Sequence, residues 1–151
     1  MIEGVRYVHT NLIARDWRAL AAFYESVFAC EIVPPIRDFP AHEVEAGTGV
    51  AGASLSGVHL RLPGYGEAGP TIEIFTYSQQ LAAPTTTPNR PGFAHIAFAV
   101  GSVADARAEV LAADGKPVGE IVTVTTATGK QITWCYVTDP EGNIIELQAS
   151  S

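Results

Sequence analysis

Residues 5–28, "VRYVHTNLIARDWRALAAFYESVF", read as a strand followed by a helix, and the same order returns in residues 93–115, "FAHIAFAVGSVADARAEVLAADG". An offset of 86 residues lays His9 on His95 and Asp16 on Ser102 without a gap. In the first copy Val5, Tyr7, His9, Asn11 and Ile13 alternate with Arg6, Val8, Thr10 and Leu12, the period of a strand. Asp16 then stands where a helix N-cap belongs, and Leu20, Phe23, Tyr24, Val27 and Phe28 follow at helical spacing. In the second copy residues 93–100 are the strand, Ser102 is the cap, and Gly115 and Pro117 end the helix.

The far ends of the two copies also match. Glu73 in "TIEIF" and Glu146 in "IIELQ" hold the same place in their strands at an offset of 73. The first copy therefore carries 13 extra residues, which fall in its Gly- and Pro-rich middle, where loops absorb insertions at little cost. Between the ends, "EIVPP" starts a strand that Pro34 and Pro35 should stop, and "GVAGASLSG", "VHLRLPG" and "TIEIFTY" are strand candidates. The second copy offers "EIVTVTTA", a turn at Thr128–Gly129, "QITWCYVTD", a tight turn "DPEGN", and "IIELQ". Each half is thus strand, helix and three strands, an α+β unit. The expectation is a single domain over residues 1–151, with module 1 at about 5–84, module 2 at about 93–149, and "TTTPNRPG", residues 85–92, as a Pro-rich linker.

Charge excludes some partners. A formal net charge of −7 disfavours nucleic acid and anionic membrane surfaces, and no apolar run is long enough to span a bilayer. The opening "MIEG" has no basic or apolar leader character, so a cytoplasmic location is expected. Cys30 and Cys135 fit no metal-ligand spacing and read as free, buried thiols.

Alternation assigns directions to the polar residues inside the strands. His9 leaves the face of Val8, Thr10 and Leu12; His95 leaves the face of Ile96, Phe98 and Val100; Glu73 and Glu146 point opposite Ile72 and Ile74, and Ile145 and Leu147. If the two sheets curl around a shared interior, all four converge. One histidine in a strand is ordinarily a satisfied polar residue. Four such residues at matching places in a repeat are harder to assign that way, because two carboxylates brought together repel unless a cation lies between them. Two imidazoles and two carboxylates suit zinc, nickel, cobalt, manganese or ferrous iron, and on an octahedral ion they leave two positions for water or substrate.

The stretches "YVHTNLIARDWRALAAFYESVF", "GFAHIAFAV" and "VTDPEGNIIELQ" resemble the vicinal oxygen chelate superfamily, which holds glyoxalase I, extradiol dioxygenases, fosfomycin-resistance enzymes and bleomycin-resistance proteins. The resemblance implies the glyoxalase/bleomycin-resistance fold, two βαβββ modules forming an open cup of mixed β-sheet, commonly as a homodimer. It implies metal ligands at His9, Glu73, His95 and Glu146, the quartet most like bacterial glyoxalase I. Where that enzyme has an arginine and an asparagine that help hold glutathione, this chain has Ile13 and Tyr77, so a substrate other than a glutathione conjugate is expected.

The expected chemistry is metal-assisted proton transfer beside a carbonyl, through an enediolate, with Glu146 or Glu73 as the base, as in a lyase or isomerase acting on a small oxygen-chelating substrate. Tyr7, Asn11, Phe75, Tyr77, Trp134 and Tyr136 are the candidate substrate-binding residues. Two alternatives stand beside it: a ferrous dioxygenase using His9, His95 and Glu146, and a protein that sequesters an apolar ligand as bleomycin-resistance proteins do. His59, Tyr77 and Tyr136 could serve a catechol-cleaving site but read first as structural residues, His42 as a loop residue and Trp17 as a packing anchor.

Overall fold

The computed structural model describes residues 1–83 and 85–151. Pro84, where the expected first module ends, lies outside the described residues. The chain forms two compact units, Met1–Ala82 and Ala83–Ser151, each with its own mixed sheet; among the described residues the first holds two helices and the second one.

In the first unit, β1 (His9–Ile13) leads into α1 (Trp17–Phe28), followed by β2 (Glu31–Phe39), α2 (Ala41–Thr48), β3 (Leu55–Arg61) and β4 (Thr71–Tyr77). The sheet order is β1-β4-β3-β2, with β1 parallel to β4 and the other pairs antiparallel. The Asp16 carboxylate accepts the N–H groups of Arg18 and Ala19, two of the donors a helix start leaves unpaired. Leu20, Tyr24 and Phe28 turn inward from α1, which packs on β3 and β4. Val58, Leu60, Ile72 and Ile74 meet them from the sheet and are fully buried. The opposite face of β4 carries Glu73, as the alternation requires.

Four expectations for this unit need correction. The first strand begins at His9, not Val5, and Val8 is exposed. The second strand does not stop at Pro34–Pro35 but runs to Phe39. It survives because β2 is the outer strand and its pairing skips from Val33↔His59 to Arg37↔Gly57, so three residues bulge past Val58 and the missing proline N–H groups interrupt no ladder. The candidates "GVAGASLSG" and "VHLRLPG" are one strand, β3, preceded by a turn. Finally, a helix, α2, stands in the Gly- and Pro-rich middle where the sequence leads one to expect loop. This short helix buries only Val44, against Ala53, Leu55 and Phe75, too narrow an apolar face to reveal a helical period. His42 sits on it, exposed beside Glu43.

The second unit repeats the plan. β5 (Ile96–Ala99) and α3 (Val103–Ala112) are followed by β6 (Lys116–Pro117), β7 (Val122–Thr125), β8 (Gln131–Thr138) and β9 (Ile144–Ser150). β5 lies parallel to β9, β9 antiparallel to β8, and both β6 and β7 pair with β8. The outer strand is broken here as well: β6 takes Thr138 and Val137, and β7 takes Gln131 to Trp134. Ser102 caps α3 through the N–H of Asp105. Cys135, Val137, Ile145 and Leu147 form the buried face. In the turn "DPEGN", the buried Asp139 carboxylate accepts the N–H groups of Glu141 and Asn143 and the Asn143 side-chain amide.

Strand register gives the duplication a physical form. The residue two past each histidine pairs with a glutamate: Asn11↔Glu73 and Ala97↔Glu146. No helix among the described residues is long and apolar enough to cross a membrane.

Candidate metal centre

Parallel pairing of β1 with β4 brings His9 beside Glu73, with Nε2 3.4 Å from Oε2. Parallel pairing of β5 with β9 does the same in the second unit, where His95 Nε2 lies 3.1 Å from Glu146 Oε2. Each unit therefore joins one of the expected imidazoles to one of the expected carboxylates. Both glutamates are largely covered, at 15% and 19% side-chain exposure, while His9 and His95 keep 38% and 30%, so each pair is sheltered yet reachable.

The first unit adds a residue, His59, that reads in the sequence first as structural. His59 on β3 is the ladder partner of Glu73, and its Nε2 lies 2.9 Å from Glu73 Oε1. Its other ring nitrogen, Nδ1, is 3.0 Å from the Thr71 hydroxyl. Asn11 donates its side-chain amide to Glu73 Oε2 at 3.0 Å. The His9 and His59 rings meet edge to face with centroids 5.6 Å apart. Burial lowers the His59 pKa, helped by the Arg37 and His9 charges and opposed by Glu73. A neutral imidazole is the form that ligates a metal. The signal was available in β3: Gly57, His59 and Arg61 alternate with the core residues Val58 and Leu60.

In the second unit Tyr136 on β8 occupies the corresponding place, opposite Glu146. Its hydroxyl hydrogen-bonds Glu146, and its ring lies 5.0 Å from that of His95 and 5.1 Å from that of Trp134. Burial, and then the Glu146 charge, raise the Tyr136 pKa, so this hydroxyl stays protonated and donates to the carboxylate. Trp134 and Tyr136 both leave the helix-covered face.

The remaining candidates are placed variously. Asn11 touches Glu73 directly. Tyr7 is exposed and hydrogen-bonds the Thr10 hydroxyl. Phe75 is buried in the cluster under α2, with Tyr77 packed against it, and the Phe75 ring centroid lies 6.2 Å from that of His59. Trp17 is the packing anchor expected, buried with its indole N–H on the Ser56 hydroxyl.

Nitrogen and carboxylate donors gathered this way fit a divalent first-row ion. In the first unit one donor atom each from His9, His59 and Glu73 lie within 4.8 Å of one another.

Mixed sheets of βαβββ order, each with a histidine–glutamate pair at the same register, define a class of protein, and comparison with known families identifies it. The chain belongs to the Glyoxalase/Bleomycin resistance protein/Dioxygenase superfamily, whose model matches residues 6–147. Among solved structures it is similar to a glyoxalase family protein from Bacillus cereus, with 16% identity, TM-score 0.81, and coverage of 99% of this chain and 96% of that one. It is also similar to the fosfomycin resistance protein FosX from Listeria monocytogenes, with 20% identity, TM-score 0.61 and coverage of 100% and 96%. A virulence protein from Salmonella typhimurium matches with 25% identity, TM-score 0.54 and coverage of 99% and 98%. No curated protein matches the chain significantly.

Proposed function

We propose that this chain is a metal-dependent enzyme of the lyase or isomerase kind, with His9, Glu73, His95 and Glu146 as its ligand set and a small substrate bearing neighbouring oxygens. One observation carries the reading: the same imidazole–carboxylate contact occurs at the same register in both units, 3.4 Å in one and 3.1 Å in the other. A single such contact is an ordinary ion pair; its repetition on duplicated strands is what a two-imidazole, two-carboxylate ligand set requires.

A divalent ion held by these residues would polarise the substrate oxygens and stabilise the negative charge that develops as a proton leaves the adjacent carbon. Glu146 is the preferred base. Glu73 is held by His9, His59 and Asn11, whereas Glu146 meets His95 and the Tyr136 hydroxyl. The Glu146 carboxylate takes the proton and returns it to the neighbouring carbon, and the Tyr136 O–H supports the carboxylate while it is charged. Ile13 and Tyr77 stand where glyoxalase I has residues that help hold glutathione, which supports a substrate that is not a glutathione conjugate.

The test is solvent exchange. Metal-loaded protein in D2O, offered 2-hydroxy and 2-oxo carbonyl compounds, should exchange the carbon-bound proton next to the carbonyl, followed by NMR. Glu146→Gln should abolish the exchange while leaving the fold intact. A metal-replete protein that exchanges nothing across such a panel would overturn the reading.

A second reading, a ferrous dioxygenase, is favoured by Tyr136, a protonated phenol beside His95 and Glu146. Oxygen uptake with catechols under ferrous loading separates the two, since proton transfer consumes no oxygen.

A further inference from the structure

We infer that the first unit carries a complete three-donor metal site of its own, formed by His9 Nε2, His59 Nε2 and a Glu73 carboxylate oxygen. This rests on the metal dependence proposed above but goes beyond it, because His59 belongs to no quartet and because the site needs neither His95 nor Glu146.

Geometry supports it first. Donor atoms around zinc or ferrous iron at ~2.1 Å stand about 3–4 Å apart. Here Glu73 Oε1 is 2.9 Å from His59 Nε2, Glu73 Oε2 is 3.4 Å from His9 Nε2, and all three residues offer donors within 4.8 Å of each other. A structural ion pair needs one imidazole on the carboxylate; this one has two, edge to face, with both Nε2 atoms turned to it.

The surroundings supply the second argument. A ligating histidine is normally held through its other ring nitrogen, which fixes its tautomer. His59 Nδ1 meets Thr71 Oγ1 at 3.0 Å. A hydroxyl both donates and accepts, so Thr71 satisfies Nδ1 in either tautomer. Without metal, His59 donates Nε2–H to Glu73 and accepts from Thr71; with metal, Nδ1–H is donated to Thr71 and Nε2 is free to ligate. Asn11 donates its side-chain amide to Glu73 Oε2 and so anchors the carboxylate. Two histidines and one carboxylate leave up to three positions of an octahedral ion open, the pattern suited to ferrous iron or zinc and to an oxygen-chelating ligand.

The experiment uses the full chain and Zn2+ alone, competed against a chromophoric chelator. The His95→Ala/Glu146→Gln variant should still bind one Zn2+ stoichiometrically, although more weakly than the unaltered chain. Adding His59→Gln to it should lower affinity at least 100-fold, and Thr71→Val should lower it by about 10–100-fold, as loss of an outer partner does. Should His59→Gln fail to fold, the Co2+-loaded His95→Ala/Glu146→Gln variant decides: two hyperfine-shifted imidazole N–H resonances are expected, and one would overturn the inference. Loss of Zn2+ on changing His95 and Glu146, with His59 dispensable, overturns the inference and leaves the proposed function standing. A chain that binds no Zn2+ overturns both. Zn2+ bound through His59 without any proton exchange overturns the proposed function alone.

Discussion

His59 and Glu73 face each other across the β3–β4 ladder, with Nε2 2.9 Å from Oε1, although 14 positions separate them in the chain. Tyr136 and Glu146 face each other in the same way across β8–β9. Each glutamate thus has a histidine on the parallel side and a second proton-bearing group on the antiparallel side. The difference between imidazole and phenol at that second place makes the two units chemically unequal.

The quartet reading predicts the behaviour of His9→Ala. Purified alongside the unaltered chain, this variant should lose metal by elemental analysis, with affinity down by 100-fold or more, since a ligand matters at least as much as the outer partners whose loss costs about 10–100-fold. Full metal content in the variant would remove His9 from the site.

Asn11 should matter through Glu73. Its amide donates to Oε2 and so orients the carboxylate. Asn11→Leu should weaken metal binding about 10–100-fold, with the melting temperature nearly unchanged because Asn11 is exposed. Chelator competition and thermal melts, measured together, check both halves of that statement.

Both thiols should be inert in the folded protein. Cys30 is buried and its pKa is pushed up to about 11 by burial and by Glu25; burial also raises that of Cys135, against the pull of Arg107. A raised pKa lowers the thiolate fraction, so at pH 8 about one Cys30 in a thousand is ionised and nucleophilic. A thiol reagent should label neither cysteine quickly until denaturant is added, when both react. Rapid stoichiometric labelling of native protein would contradict the burial described.

Gly57 should tolerate no side chain. A Cβ there would run into the Ile74 carbonyl and the Phe75 ring on the neighbouring strand. Gly57→Ala should cost about 1–3 kcal/mol, as overpacking does, and lower the melting temperature by about 2–4 °C per kcal/mol in a chain of this size. Because β3 carries His59, metal affinity should fall with it.

Asp139 closes the "DPEGN" turn with three accepted hydrogen bonds while almost wholly buried. Asp139→Ala leaves those donors unpaired and should cost about 2–3 kcal/mol. Asp139→Asn, which keeps an acceptor for the two backbone N–H groups, should cost less. Denaturant unfolding of the two variants gives the comparison.

Much of this molecule can be read along the chain. The repeat, the caps Asp16 and Ser102, the helix over residues 17–28 and the strand over residues 71–77 are local matters of period and capping, and they stand as expected. The faces that His9, Glu73, His95 and Glu146 take are also legible, because a period of two assigns each side chain a face; which glutamate meets which histidine follows from strand pairing. What sits beside those faces depends on pairing between distant segments. β2 persists through Pro34–Pro35 because of its outer position and bulge, features that no local pattern contains. α2 holds on one buried valine. His59 reaches Glu73 because ladder hydrogen bonds set β3 against β4 in one register, and a slip of one residue would have turned its ring into the core. Residue type and periodicity act within a few positions and name the donors; register is a long-range hydrogen-bonding choice, and it selects which of them meet.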